Sequence, residues 1–123
     1  MKPTRDHLDL LNDIRTAASK ARQFTGGLDY AAFAADEKSI YAVVRALEIV
    51  GEATKRVPQE IRDLAPTIPW RSMAGSRDKL IHDYITVDLE NVWHTVVVDL
   101  PLLDAELNSL IQTIAGLPPT EKN

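Results

Sequence analysis

The sequence predicts an all-α protein, a bundle of four long helices with short additional helices. Three observations carry this. Apolar residues recur at offsets of three and four over long stretches, no alternating pattern of useful strand length occurs, and most glycines and prolines, Gly51 and Pro101 excepted, fall between the periodic segments. Length agrees, because 123 residues at 45% hydrophobic and 26% charged match an ordinary globular chain with one core. The reading is a single domain over residues 1–117 and a disordered tail, "LPPTEKN" from its second residue onward, over 118–123.

The first helix is expected over residues 4–24, where Leu10, Ile14, Ala17, Ala21 and Phe24 follow offsets of four, three, four and three. "TGG" at 25–27 ends it, since glycine adopts the left-handed conformations of helix C-caps. A short helical turn is expected around "YAAFAA". Asp36 then caps a helix running to about Arg56, with a core face of Ile40, Val43, Val44, Leu47, Val50 and Thr54. Its second stripe, Tyr41, Arg45, Glu48, Glu52 and Lys55, is spaced for pairing of opposite charges along a solvated face. Gly51 within this helix costs roughly 1 kcal/mol relative to alanine, which suggests close packing there. Pro58 and Pro69 suit the first turns of two further helices, the second carrying "WRSMAGSRDKLIH". The last helix begins at Asp88 with the stripe Leu89, Val92, Val96, Leu100, Leu103, Leu107, Leu110 and Ile114, and Pro101 should kink it.

Composition narrows function. The absence of cysteine excludes thiolate nucleophiles, thiol redox chemistry and zinc-thiolate clusters, and fits a reducing cytosol. "MKPTRDHLDLLND" has acidic residues where a signal peptide needs an apolar stretch, and no run approaches the ~18 apolar residues of a membrane span, so a cytoplasmic location and no membrane partner are expected. A formal net charge of −4 argues against avid non-specific nucleic-acid binding. Any RNA contact must be local. No H-x3-H pair, acidic cluster or glycine-rich phosphate loop is present, so no metal and no stably bound cofactor are expected. His7 and His94 read as surface or capping residues rather than ligands.

The stretch "RDKLIHDY", residues 77–84, stands out. On a regular helix Trp70, Met73, Ala74, Arg77, Leu80, Ile81 and Tyr84 share a face, so Arg77 interrupts an apolar stripe. A guanidinium cannot be neutralised at ordinary pH, and partial burial requires an anionic partner or ligand. His82, five positions on, lies about 140° round the helix from Arg77. The two converge only if the helix breaks or if a second copy contributes its pair across a twofold axis. Histidine can take a proton from a ribose 2′-hydroxyl or give one to a leaving oxygen. Arginine supplies charge and a donor fork to the phosphate. Metal-independent RNA cleavage needs only these functions, although an R-x4-H pair also arises by chance and Tyr84 can serve as a half-buried aromatic.

"RALEIVGEA" at 45–53, "IPWRSMAGSRDKLIHDY" and "VDLENVW" resemble, in that order, the HepT-like branch of the HEPN superfamily, over roughly residues 5–117. The diagnostic element is R-x4-H-x-Y, here Arg77, His82 and Tyr84. The resemblance implies a HEPN-type bundle and a homodimeric toxin, a metal-independent endoribonuclease with both motif copies lining a cleft at the dimer interface. It further implies an MntA-like minimal nucleotidyltransferase antitoxin that attaches AMP to Tyr84. The residue after the arginine, often asparagine in relatives, is Asp78, which keeps a polar group and adds a negative charge beside the phosphate site. On this reading the helix carrying Arg45, Glu48 and Glu52 flanks the cleft as possible support, with Arg45 adding charge or Glu52 orienting Arg77. The competing reading is a non-catalytic helical module that binds a nucleotidyltransferase or a nucleotide.

Overall fold

A computed structural model describes residues 5–75 and 88–116. Helix α1 spans Arg5–Phe24, α2 Tyr30–Ala34, α3 Glu37–Lys55 and α4 Gln59–Arg62. Residues 70–75 are helical and are termed α5. Helix α6 spans Leu89–His94, a π-helical turn covers Thr95–Asp99, and α7 spans Leu100–Ala115. Among the described residues there is no strand, and no helix is long and apolar enough to cross a membrane. The all-α expectation is met. The expected disordered tail lies outside the described residues.

Helix α1 lies at the centre, packed along α3 on one side and α7 on the other. It can serve two neighbours because its buried side chains form a band wider than the expected stripe: Leu11, Ile14, Ala17, Ala18, Ala21 and, just past the end, Thr25. Three alanines in that band allow close helix approach. The expected stripe was displaced at its edges. Leu10 is half-buried and Phe24 is 40% exposed, whereas Leu11 and Ala18 are fully covered. Gly27, at φ +80°, turns the chain out of the helix as expected. The Thr25 hydroxyl donates to the Arg22 carbonyl within the same turn.

Asp36 caps α3 as expected. Its carboxylate accepts from the Ser39 amide at 3.3 Å and the Ser39 hydroxyl at 2.8 Å, and these bonds hold its pKa below the ordinary 3.8. Of the expected α3 core face, Ile40, Val43, Val44, Val50 and Thr54 are buried and Leu47 is half-buried. Ala46, Gly51 and Ala53 widen the face, and the burial of Gly51 agrees with the close packing expected there. Thr54 is fully buried with its hydroxyl donating to the Val50 carbonyl at 2.6 Å, so burial does not leave this hydroxyl unmet. Helix α3 ends at Lys55, with Arg56 as its C-cap.

The last element runs without a break from Leu89 to Ala115 after the Asp88 cap, as expected, and meets Pro101 with a π-helical turn. Proline lacks an N–H, and its ring collides with the carbonyl four residues back, here that of Val97. The chain accommodates Pro101 by widening the preceding turn, where the Leu100 amide reaches the Thr95 carbonyl five residues back. Val92, Val96, Leu100, Leu103, Leu107, Leu110 and Ile114 all remain buried through this change. Leu89 is half-buried. Helix α2 is joined to α6 by rings, with Trp93 5.4 Å from Phe33 and 6.1 Å from Tyr30 between centroids.

Two measurements check this account. Leu107 is fully buried, so Leu107→Ala should lower the unfolding free energy by about 2–5 kcal/mol in urea titration. Because Asp36 has a lowered pKa in the fold, its contribution is complete above its ordinary 3.8 and is lost as pH falls through the lowered value. Asp36→Ala should therefore reduce the melting temperature at pH 7, and the difference from wild type should shrink toward pH 2.

Candidate functional site

The approaches to the motif segment are built from local rules. Segment 57–70 follows α3 and inserts Val57, Ile61, Ile68 and Trp70 into the core. The Trp70 indole N–H donates to the Ala65 carbonyl at 3.0 Å, and its backbone amide donates to the Ile68 carbonyl at 2.8 Å. This fixes the first residue of α5, whose next turn forms when the Met73 amide reaches the Pro69 carbonyl. Met73 and Ala74, expected on the same face as Trp70, are half-buried. On the far side of the motif segment, Asp88 caps α6 by accepting from the Asn91 amide at 3.2 Å. Arg77, Asp78, His82 and Tyr84 themselves lie outside the described residues. So do Leu80 and Ile81.

Among the expected supporting residues, Arg45 and Glu48 come together on α3, with guanidinium and carboxylate 3.4 Å apart. The arginine side chain is 66% exposed and the glutamate 19%, so the glutamate is the shielded member of the pair. An i,i+3 pair this open to water stabilises the helix by only a few tenths of a kcal/mol. The arrangement therefore holds Arg45 without neutralising a buried charge. Glu52 is exposed one turn further along the same stripe.

His94 is a surface group, as expected. His94 is 62% exposed, with Nδ1 3.8 Å from an Asp99 carboxylate oxygen. Residues five apart face each other here because the π turn runs from the residue after His94 to Asp99. His7 is half-buried on α1.

Two arginines that the sequence reading did not single out perform structural work. Arg62, on α4, donates from Nε to the Val57 carbonyl at 3.0 Å and from Nη2 to the Thr54 carbonyl at 2.9 Å. It thereby caps the C-terminus of α3, where carbonyls lack intrahelical partners. Arg15, on α1, donates to Asn12 Oδ1 at 2.8 Å and to Asn108 Oδ1 at 2.5 Å. The Arg15–Asn12 spacing of three was legible in the sequence. The partner on α7, 93 residues away, was not.

Comparison with known proteins gives the class that this helical architecture and the R-x4-H-x-Y sequence together define. The family model described as Ribonuclease HepT-like matches residues 14–110, which include the motif. A protein named as a probable ribonuclease HepT, from Thermococcus cleftensis, is 45% identical over 106 residues, covering 86% of this chain and 96% of its own length. Two proteins of Methanocaldococcus jannaschii that carry RNase in their names are 40% and 39% identical, covering 93% and 91% of this chain and 94% and 97% of their own lengths. No solved structure matches the chain. The chain belongs to the HepT-like ribonuclease family.

The Trp70 anchor generates a prediction. Trp70→Phe keeps the aromatic packing and removes the indole donor, leaving the Ala65 carbonyl without that bond. It should cost about 1 kcal/mol in urea unfolding, while far-ultraviolet circular dichroism remains unchanged.

Proposed function

We propose that the chain is a metal-independent endoribonuclease toxin acting as a homodimer, with Arg77 and His82 as its catalytic residues. The observation that carries this reading is family membership over a span that includes an intact R-x4-H-x-Y sequence. Two of the relatives above carry ribonuclease or RNase in their names, and the chain aligns with 96% and 94% of their lengths. A module that only bound a nucleotidyltransferase or a nucleotide would have no need of the histidine.

The chemistry follows from the side chains. His82 takes the proton of a ribose 2′-hydroxyl or delivers one to the departing 5′-oxygen. The 2′-oxygen attacks the adjacent phosphorus, the bond to the 5′-oxygen breaks, and a 2′,3′-cyclic phosphate and a 5′-hydroxyl result. Arg77 holds the phosphate oxygens as charge builds on them. Two copies around a twofold axis supply both proton-transfer groups where one helix would keep Arg77 and His82 apart. Asp78 lies beside this phosphate site, and the α3 stripe of Arg45, Glu48 and Glu52 flanks the cleft. DNA lacks the internal nucleophile and is not a substrate.

Control is assigned to Tyr84 and an MntA-like nucleotidyltransferase antitoxin. The phenol oxygen attacks the α-phosphorus of ATP, pyrophosphate leaves, and the phenol proton is released. The resulting phosphodiester lies two residues from His82 and occupies Arg77 much as RNA would, while its adenosine blocks the cleft. Inhibition is competitive and needs no refolding.

His82→Ala and Arg77→Ala should each reduce RNA cleavage by roughly 10²–10⁴-fold or more, with unchanged melting temperature. Tyr84→Phe should keep cleaving in the presence of the nucleotidyltransferase and ATP, whereas wild type gains AMP by intact-mass spectrometry. Cleavage stopped by EDTA but not by these substitutions, or AMP mapped to Tyr30 or Tyr41, would refute the scheme.

A further inference from the structure

Helices α1 and α7 leave between them an open polar groove of about 400 Å³. Its α1 wall is made by Thr16, Ser19, Lys20 and Gln23, spaced by three, one and three, so that the four side chains share one helix face. All four are exposed, and each carries an O–H or N–H donor. Arg15 forms the floor between the helices. Among the described residues its hydrogen-bond partners are the amide oxygens of Asn12 and Asn108, which orient the guanidinium and leave its charge intact. The α7 wall holds Asn108 and Asp104, with the Asn108 amide 3.4 Å from the Asp104 carboxylate.

Two cations and one carboxylate leave the groove with one net positive charge, which complements a single phosphodiester. The donor types along α1 are those that contact phosphate and sugar rather than bases. Among the described residues no aromatic side chain lines the groove, so they offer no platform for base stacking and none of the aromatic anchors that concentrate affinity at protein interfaces. On these grounds we infer that the α1/α7 groove binds the phosphate backbone of RNA, independently of sequence. This inference rests on the ribonuclease reading above and extends it. A chain with net charge −4 needs a local positive surface to retain RNA, and a groove that holds one end of a strand raises the residence of the rest. Phosphate contacts do not sense the 2′-hydroxyl, so DNA of the same sequence occupies the groove equally.

The test uses the full chain and fluorescence anisotropy of a labelled 2′-O-methyl oligoribonucleotide, in which the internal nucleophile is blocked. Binding is measured across salt concentrations, alongside cleavage of the unmodified RNA. Lys20→Gln should reduce the steepness of log affinity against log salt by about 0.7, the effect of one phosphate contact on a single strand. Lys38→Gln, an exposed lysine on α3 outside the groove, should leave it unchanged. Lys20→Glu should weaken RNA and DNA alike, with the wild-type circular dichroism spectrum retained. If wild type cleaves RNA and Lys20→Gln leaves the salt dependence untouched, the groove assignment is overturned and the ribonuclease reading stands. If Lys20→Glu weakens binding of the nucleotidyltransferase but not of RNA, the groove is a protein contact and the inference fails. A wild-type chain that neither binds nor cleaves RNA overturns both.

Discussion

Everything described depends on the ability of α1 to bury two faces at once. Its small side chains, Ala17, Ala18 and Ala21, let α3 and α7 approach closely, while Leu11 and Ile14 supply the apolar area that drives the association. The same packing sets where polar groups meet. Asn12 and Arg15 lie beside the buried band, and the closeness of α7 brings Asn108 within hydrogen-bond reach of Arg15. A bulky residue in place of Ala18 would separate the helices and dissolve both the core contact and the groove.

The π turn before Pro101 shows how a local covalent constraint is absorbed without losing the core. A missing N–H and a bulky ring disrupt the hydrogen-bond ladder on the outer side, and the chain responds by widening one turn. The buried leucines on either side keep their places, whereas Val97, Val98 and Leu102 are left partly exposed on the outside of the bend. Burial of the stripe decides the outcome, because displacing Leu100, Leu103 and Leu107 together would cost far more than one irregular turn.

Charge is distributed in keeping with an acidic protein that handles a polyanion. Arg62 is consumed in capping α3. Arg45 is balanced by Glu48. Arg15 differs, because neutral amides orient it and its charge remains available to the groove. The motif segment between α5 and α6 is bracketed by the Trp70 anchor and the Asp88 cap, so the strongest functional signal in the sequence lies between two well-specified points.

The sequence by itself determined the helix class, the order of the elements and most of their ends. Each of these follows from interactions within a few residues: Asp36 and Asp88 capping amides three positions on, Gly27 in the left-handed region, and leucines at threes and fours. It also contained the R-x4-H-x-Y motif that led to the family. Only the tertiary structure decided which edge of each stripe is covered, so that Leu11 and Ala18 are buried in place of Leu10 and Phe24. Periodicity gives the direction of a face but not its width, which depends on how many neighbours a helix has. Partners distant along the chain were equally illegible. The Arg62 cap on Thr54, the Thr67 hydroxyl on Glu106 and the Arg15–Asn108 bond each join groups whose proximity is created by packing, and no local pattern encodes a distance that exists only once the helices have met.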